Sequence, residues 1–269
     1  MTPPRLGRLE QVRRSLSERD WAVLNDIAKV RVLTVSQIER LQVSDGSGRT
    51  RPRRARALMQ RLHELGLVTR LERRVGGVHA GSAGHVYGLT TRGQRLTSRL
   101  GPAGGRRLRK PWEPSPTFVD HILAVSELYV RLRELETEGQ VDELVSEAEP
   151  ACWRFWTGPG GERLVVKPDA YVGFVRGDYE YRYFVEVDRA SQSRSVIRRK
   201  GEVYIEYFLS GSEQARSNLF PRVLFVTTDD KRKAVIVDAL AKLDPEYWQL
   251  FQVKVEGEDW VAPADDLSA

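Results

Sequence analysis

At 269 residues and 41% hydrophobic content, the chain is long enough for two domains with ordinary cores, and its single cysteine, Cys152, excludes a disulfide framework or a cysteine-rich zinc site. No run approaches the roughly 18 apolar residues of a membrane span, and residues 1–19 are too charged for a secretory signal, so a cytoplasmic protein without a membrane partner is expected. The net charge of +6 conceals an asymmetry: residues 1–110 carry 24 Lys+Arg and 8 Asp+Glu, net +16, while residues 111–269 are net −10, and a basic module joined to an acidic one points to a polyanion partner.

Residues 18–29 predict a helix capped by Ser17, with Trp21, Leu24, Ile27 and Ala28 recurring at helical spacing. Thr34 caps a second helix over 35–41, with Gln37 placed as in a capping box. After a turn over 45–48, a third helix over 50–65 directs Ala57, Leu58, Leu62 and Leu65 inward and crowds Arg51, Arg53, Arg54, Arg56 and Arg61 on its start and outer face; Gly66 ends it. Residues 67–74 and 85–89 read as a β-hairpin carrying Arg73 and Arg74, followed by a helix reaching Leu100.

Helix, helix, arginine-bearing helix and hairpin in this order resemble a winged helix-turn-helix. Leu62-His63-Glu64-Leu65-Gly66-Leu67-Val68 and Tyr87-Gly88-Leu89-Thr90-Thr91-Arg92-Gly93 carry the resemblance. It implies double-stranded DNA as partner, with the third helix in the major groove and the hairpin on an adjacent groove or backbone. Arg51, Arg53, Arg54, Arg56 and Arg61 on the helix and Arg73 and Arg74 on the wing are the candidate DNA contacts.

A stretch rich in proline, glycine and basic residues over 101–117 reads as a linker between a domain over 1–100 and a second over 118–269. The second domain opens with a periodic helix over 118–136. Strands follow over 141–147, 152–156, 163–175 and 179–187, then a helix over 191–209, a strand over 222–227, a helix over 231–243 and a last strand over 251–255. The fold expected is thus a two-domain mixture of α+β and α/β.

Asp169, after Lys167-Pro168, and Glu186-Val187-Asp188 stand at what read as the ends of adjacent strands, a placement that suits a hard divalent cation. This element order and these acids resemble the PD-(D/E)xK nuclease core, αβββαβ. The resemblance implies Mg²⁺ (or Mn²⁺) held by Asp169, Glu186 and the carbonyl of Val187, with a lysine assisting phosphodiester cleavage. Asp188, the fourth candidate catalytic residue, stands where that lysine is expected. Lys200, on the following helix, is the best replacement and Lys167 the second; Glu127, Ser191 and Gln192 are weaker candidates around the site.

Winged helix, linker, Lys167-Pro168-Asp169-Ala170, Phe184-Val185-Glu186-Val187-Asp188-Arg189-Ala190, and then Lys200 and Tyr204 resemble the replication-relaxation family of actinobacterial plasmids and mobile elements. That resemblance implies a role in plasmid replication or relaxation, with nicking by a metal-dependent endodeoxyribonuclease if the site is active. The alternative is a non-catalytic DNA-binding regulator whose second domain serves homodimerisation or partner recruitment.

Overall fold

The computed structural model describes residues 8–45, 47–71, 85–98 and 116–259. Contacts divide the chain into two units, Met1–Glu134 and Leu135–Ala269, both mixing helix and strand, an α+β protein. Among the described residues no helix is long and apolar enough to cross a membrane.

The first unit begins with α1 (Arg8–Ser15), which the periodicity does not announce, and α2 (Glu18–Val30), whose N-cap Ser17 forms a full capping box with Asp20. A three-residue strand, β1 (Val32–Thr34), leads into α3 (Val35–Gln42), where Thr34 and Gln37 form the second capping box. Next comes α4 (Arg51–Glu64), and Gly66 after it takes φ +67°, a left-handed turn that favours glycine. Its buried face is Ala55, Met59 and Leu62, a stripe at i, i+4 and i+7; Ala57, expected inside, is exposed. Strands β2 (Val68–Leu71) and β3 (Val86–Leu89) pair antiparallel, and β1 adds to the other edge of β3. Helix α5 (Thr91–Ser98) follows. The connecting residues with Arg73 and Arg74, and the basic linker, lie outside the described residues.

Helix α6 (Pro116–Thr137), expected to open the second domain, packs with the first unit as far as Glu134. Ser126 Oγ donates to the Val32 carbonyl at 2.7 Å, and Tyr129 Oη to Asp26 Oδ1 at 2.6 Å. Tyr129 and Val130 enter the core of α2, α3 and α4. An apolar helical face suits any core, so periodicity predicts the helix without choosing its partner.

The second unit holds β4 (Asp142–Ala148), β5 (Arg154–Thr157), β6 (Arg163–Val166), β7 (Ala170–Arg176), β8 (Tyr179–Asp188), α7 (Arg194–Leu209), α8 (Ser212–Ser217), β9 (Arg222–Thr227), α9 (Asp230–Leu240), a 3₁₀ turn (Pro245–Leu250) and β10 (Phe251–Val255). Its main sheet has the order β10-β9-β8-β7-β4. Strands β4, β7 and β8 run antiparallel, whereas β8, β9 and β10 are parallel, joined by crossovers that carry α7 to α9. The single strand expected over 163–175 is split: β6 pairs only with β5, and Pro168, which cannot donate to a ladder, marks the break before β7. Phe184, Tyr204, Tyr207, Val223, Phe225 and Phe251 centre the core under α7 and α9.

Candidate functional site

Asp169 lies one residue before β7, and Glu186 and Asp188 close the C-terminal end of β8, the end at which ligands bind in α/β sheets. All three are buried. The register brings them together: Asp169 N donates to the Val185 carbonyl at 2.9 Å, and Asp169 Oδ2 accepts the Val187 N–H at 2.8 Å. Strand alternation puts the carbonyl of Val187 on that same edge of β8. Lys200 lies between buried Ile197 and Tyr204 at helical spacing on α7, and its Nζ comes to 2.5 Å from Glu186 Oε2. Tyr204 donates to Glu186 Oε1 at 2.7 Å.

Burial pushes the Glu186 carboxyl up to about 7; the Lys200 ammonium opposes that rise and the Asp169 carboxylate adds to it. Burial pulls Lys200 down, but attraction to Glu186 and Asp169 prevails and its pKa is raised, so it is a cation at neutral pH. Burial likewise raises the Tyr204 hydroxyl well above its usual value, keeping it a donor.

Asp188 is engaged differently. Arg232 of α9 grips both its oxygens, Nε at 2.6 Å and Nη2 at 2.8 Å, and the Ala190 N–H donates to Oδ1 at 2.8 Å. Arg232 Nη2 also donates to the Gln192 carbonyl at 2.6 Å, which secures the turn leading to the α7 N-cap, Ser193. Ser193 is the cap, and α7 starts at Arg194, three residues later than the expected start at 191. Lys167 is exposed, its Nζ 4.9 Å from the ring centroid of Trp153. Glu127 is occupied within the first unit by Gln37 Nε2 at 3.0 Å and Arg40 Nη1 at 2.5 Å.

Asp169, Glu186 and the Val187 carbonyl supply the hard oxygens that Mg²⁺ takes, and Mg²⁺ is commonly held by one or two carboxylates with water and phosphate completing the shell. Among the described residues no group of three or more His, Cys, Asp or Glu is spaced to hold a metal. The residues present fit an open two-carboxylate site and not a closed protein cage.

The α4 arginines divide into two sets. Arg54 is held by the Asp45 carbonyl at 2.7 Å and its Oδ2 at 2.8 Å, Arg51 faces Glu39 at 3.5 Å, and Arg61 pairs with buried Asp20 and with the Ser15 carbonyl. Arg53 and Arg56 are exposed on the same helix.

The chain matches the replication-relaxation family over residues 24–223. It belongs to that family. No curated protein and no solved structure matches it. Membership of the replication-relaxation family suggests a role in plasmid or mobile-element replication or relaxation, and interaction with DNA. The matched stretch of this replication-relaxation protein takes in α4, Asp169, Glu186, Lys200 and Tyr204 and stops inside β9. Arg232 lies beyond it, 44 residues from Asp188, and no spacing in the sequence announces that pair.

Proposed function

We propose that this replication-relaxation protein docks duplex DNA through a winged-helix first unit and cleaves a DNA phosphodiester bond at a PD-(D/E)xK-type site in its second. The observation that carries the reading is the meeting of Asp169, Glu186 and Lys200, brought from a strand entry, a strand end and a helix to one buried polar cluster. The DNA-docking half is supported by α3, α4 and the β2–β3 pair in winged-helix order and by exposed Arg53 and Arg56.

Asp169, Glu186 and the Val187 carbonyl would hold Mg²⁺ or Mn²⁺, which supplies Lewis-acid polarisation of the scissile phosphate. Lys200, held cationic by its two carboxylate neighbours, opposes negative charge developing on phosphate oxygens and does not serve as a proton acceptor. Tyr204 orients Glu186 from the other side. Asp188 acts through Arg232 as a positioning residue for the turn into α7.

A second reading has its own support. Glu186 is satisfied by Lys200 and Tyr204 alone, and Asp188 by Arg232 and Ala190, as in a structural network of a non-catalytic regulator. Supercoiled plasmid incubated with Mg²⁺ or Mn²⁺ decides between them. Nicked circles from wild type, and none from Asp169→Ala or Glu186→Ala at unchanged DNA affinity, support cleavage; intact plasmid with wild-type binding leaves the regulator.

A further inference from the structure

The β5–β6 hairpin carries a face that neither the core nor the acid cluster uses. Its inner residues Trp156 and Val166 pack beneath α7 with Tyr204 and Tyr207. By alternation, Phe155 and Thr157 of β5 and Arg163 and Val165 of β6 point to the opposite face, with Trp153 and Lys167 extending it at the base. Phe155 is 49% exposed, and the Arg163 guanidinium lies 4.1 Å from its ring centroid. Lys167 repeats the arrangement over Trp153 at 4.9 Å. Between residues 153 and 167 the only carboxylate is Glu162, which lies against the turn glycines Gly158 and Gly160.

Two aromatic rings, each with a cation over it, stand two residues apart at Trp153 and Phe155, about 7 Å by strand rise, and their cations, Lys167 and Arg163, stand four residues apart. Aromatic and guanidinium planes accept unpaired bases of any sequence, and the adjoining cations accept phosphates. A protein partner would call for a larger apolar surface than one exposed phenylalanine beside a valine. The hairpin also points somewhere. The Cys152 thiol donates to the Pro168 carbonyl at 3.0 Å, which fastens its base to the residue before Asp169.

We propose that this face is a platform for single-stranded DNA, on which a base stacks against Phe155 and Arg163 while Arg163 and Lys167 follow the phosphates toward Asp169. The proposal rests on the reading of the second unit as a DNA-processing domain, and it supplies that site with an unpaired strand as its substrate form.

The test is fluorescence anisotropy of the full chain with a labelled single-stranded DNA oligonucleotide and with a duplex of equal length, in EDTA so that cleavage does not enter. Phe155→Ala should weaken single-strand binding by about five- to hundredfold, leave duplex binding unchanged and leave thermal unfolding as in wild type. Phe155→Trp should retain the affinity, and Arg163→Ala should flatten its salt dependence. Single-strand affinity equal in wild type and in the Phe155→Ala, Arg163→Ala double variant overturns the platform, as does tighter binding of the corresponding RNA. Because metal is absent, an inactive Asp169 cluster would leave this measurement untouched, and loss of the platform would leave nicking of already unwound substrate to be scored separately.

Discussion

Arg232 closes on Asp188 with two hydrogen bonds, at 2.6 and 2.8 Å, across 44 residues of chain. This pair explains the acid at the position where the nuclease pattern leads one to expect a lysine. The carboxylate serves the turn between β8 and α7, and Lys200 reaches Glu186 from the helix that this turn launches.

Asp188→Ala would remove the carboxylate that both Nε and Nη2 of the mostly buried Arg232 guanidinium grip, leaving it the Gln192 carbonyl. A loss of about 3–5 kcal/mol in urea unfolding is expected, with partial recovery in the double variant Asp188→Leu, Arg232→Met. A loss near zero would show that the Asp188–Arg232 pair does not hold the turn into α7.

Glu186 should make stability fall with rising pH. Its folded pKa, about 7, lies above the ordinary carboxyl value, so the folded chain holds the proton longer than the unfolded one between about pH 4.5 and 7. Lys200 is protonated in both states across that window and adds no slope. Unfolding followed in EDTA should show this decline in wild type and lose it in Glu186→Gln; parallel pH profiles would refute it.

Arg53→Ala with Arg56→Ala should weaken duplex binding and reduce the salt slope by about one unit for each phosphate that the variant no longer neutralises. Arg61→Ala should act on stability instead, by about 2 kcal/mol, because buried Asp20 loses its cation. Anisotropy titrations at several salt concentrations, set beside denaturation curves, separate the two. An unchanged slope in the double variant would remove α4 from the interface.

Gly93 sits at the start of α5, where a Cβ would run into the backbone carbonyl of Leu67. Gly93→Ala should therefore destabilise the first unit by about 1–3 kcal/mol in spite of alanine's better helix propensity. Denaturation that leaves the variant as stable as wild type would show that the backbone yields at no cost.

Much of the fold is legible because the signals are local. Ser17 with Asp20 and Thr34 with Gln37 lie three residues apart, and the structure forms both boxes. The break at Pro168 is written in the residue type, yet the apolar stretches on either side of Lys167-Pro168-Asp169 let the whole pass for one strand. Short β1 gives no such signal because three residues carry no period; pairing with β3 makes it a strand. The acids are legible as strand-end carboxylates, and Lys200 as the best-placed lysine on the helix that follows them.

What the sequence determined by itself was the order of the longer elements, the Ser17 and Thr34 caps, the basic first part and the family, which rest on short local patterns or on composition. Tertiary structure alone decided that α6 packs with α2 to α4 as far as Glu134, that Arg54 and Arg61 are tied to acids while Arg53 and Arg56 face outward, and that Asp188 belongs to Arg232. The physical reason is that a charged side chain specifies only the sign of its partner. Which partner it meets is set by crossovers and helix packing that bring together residues 14 apart, as for Lys200 and Glu186, or 44 apart, as for Arg232 and Asp188.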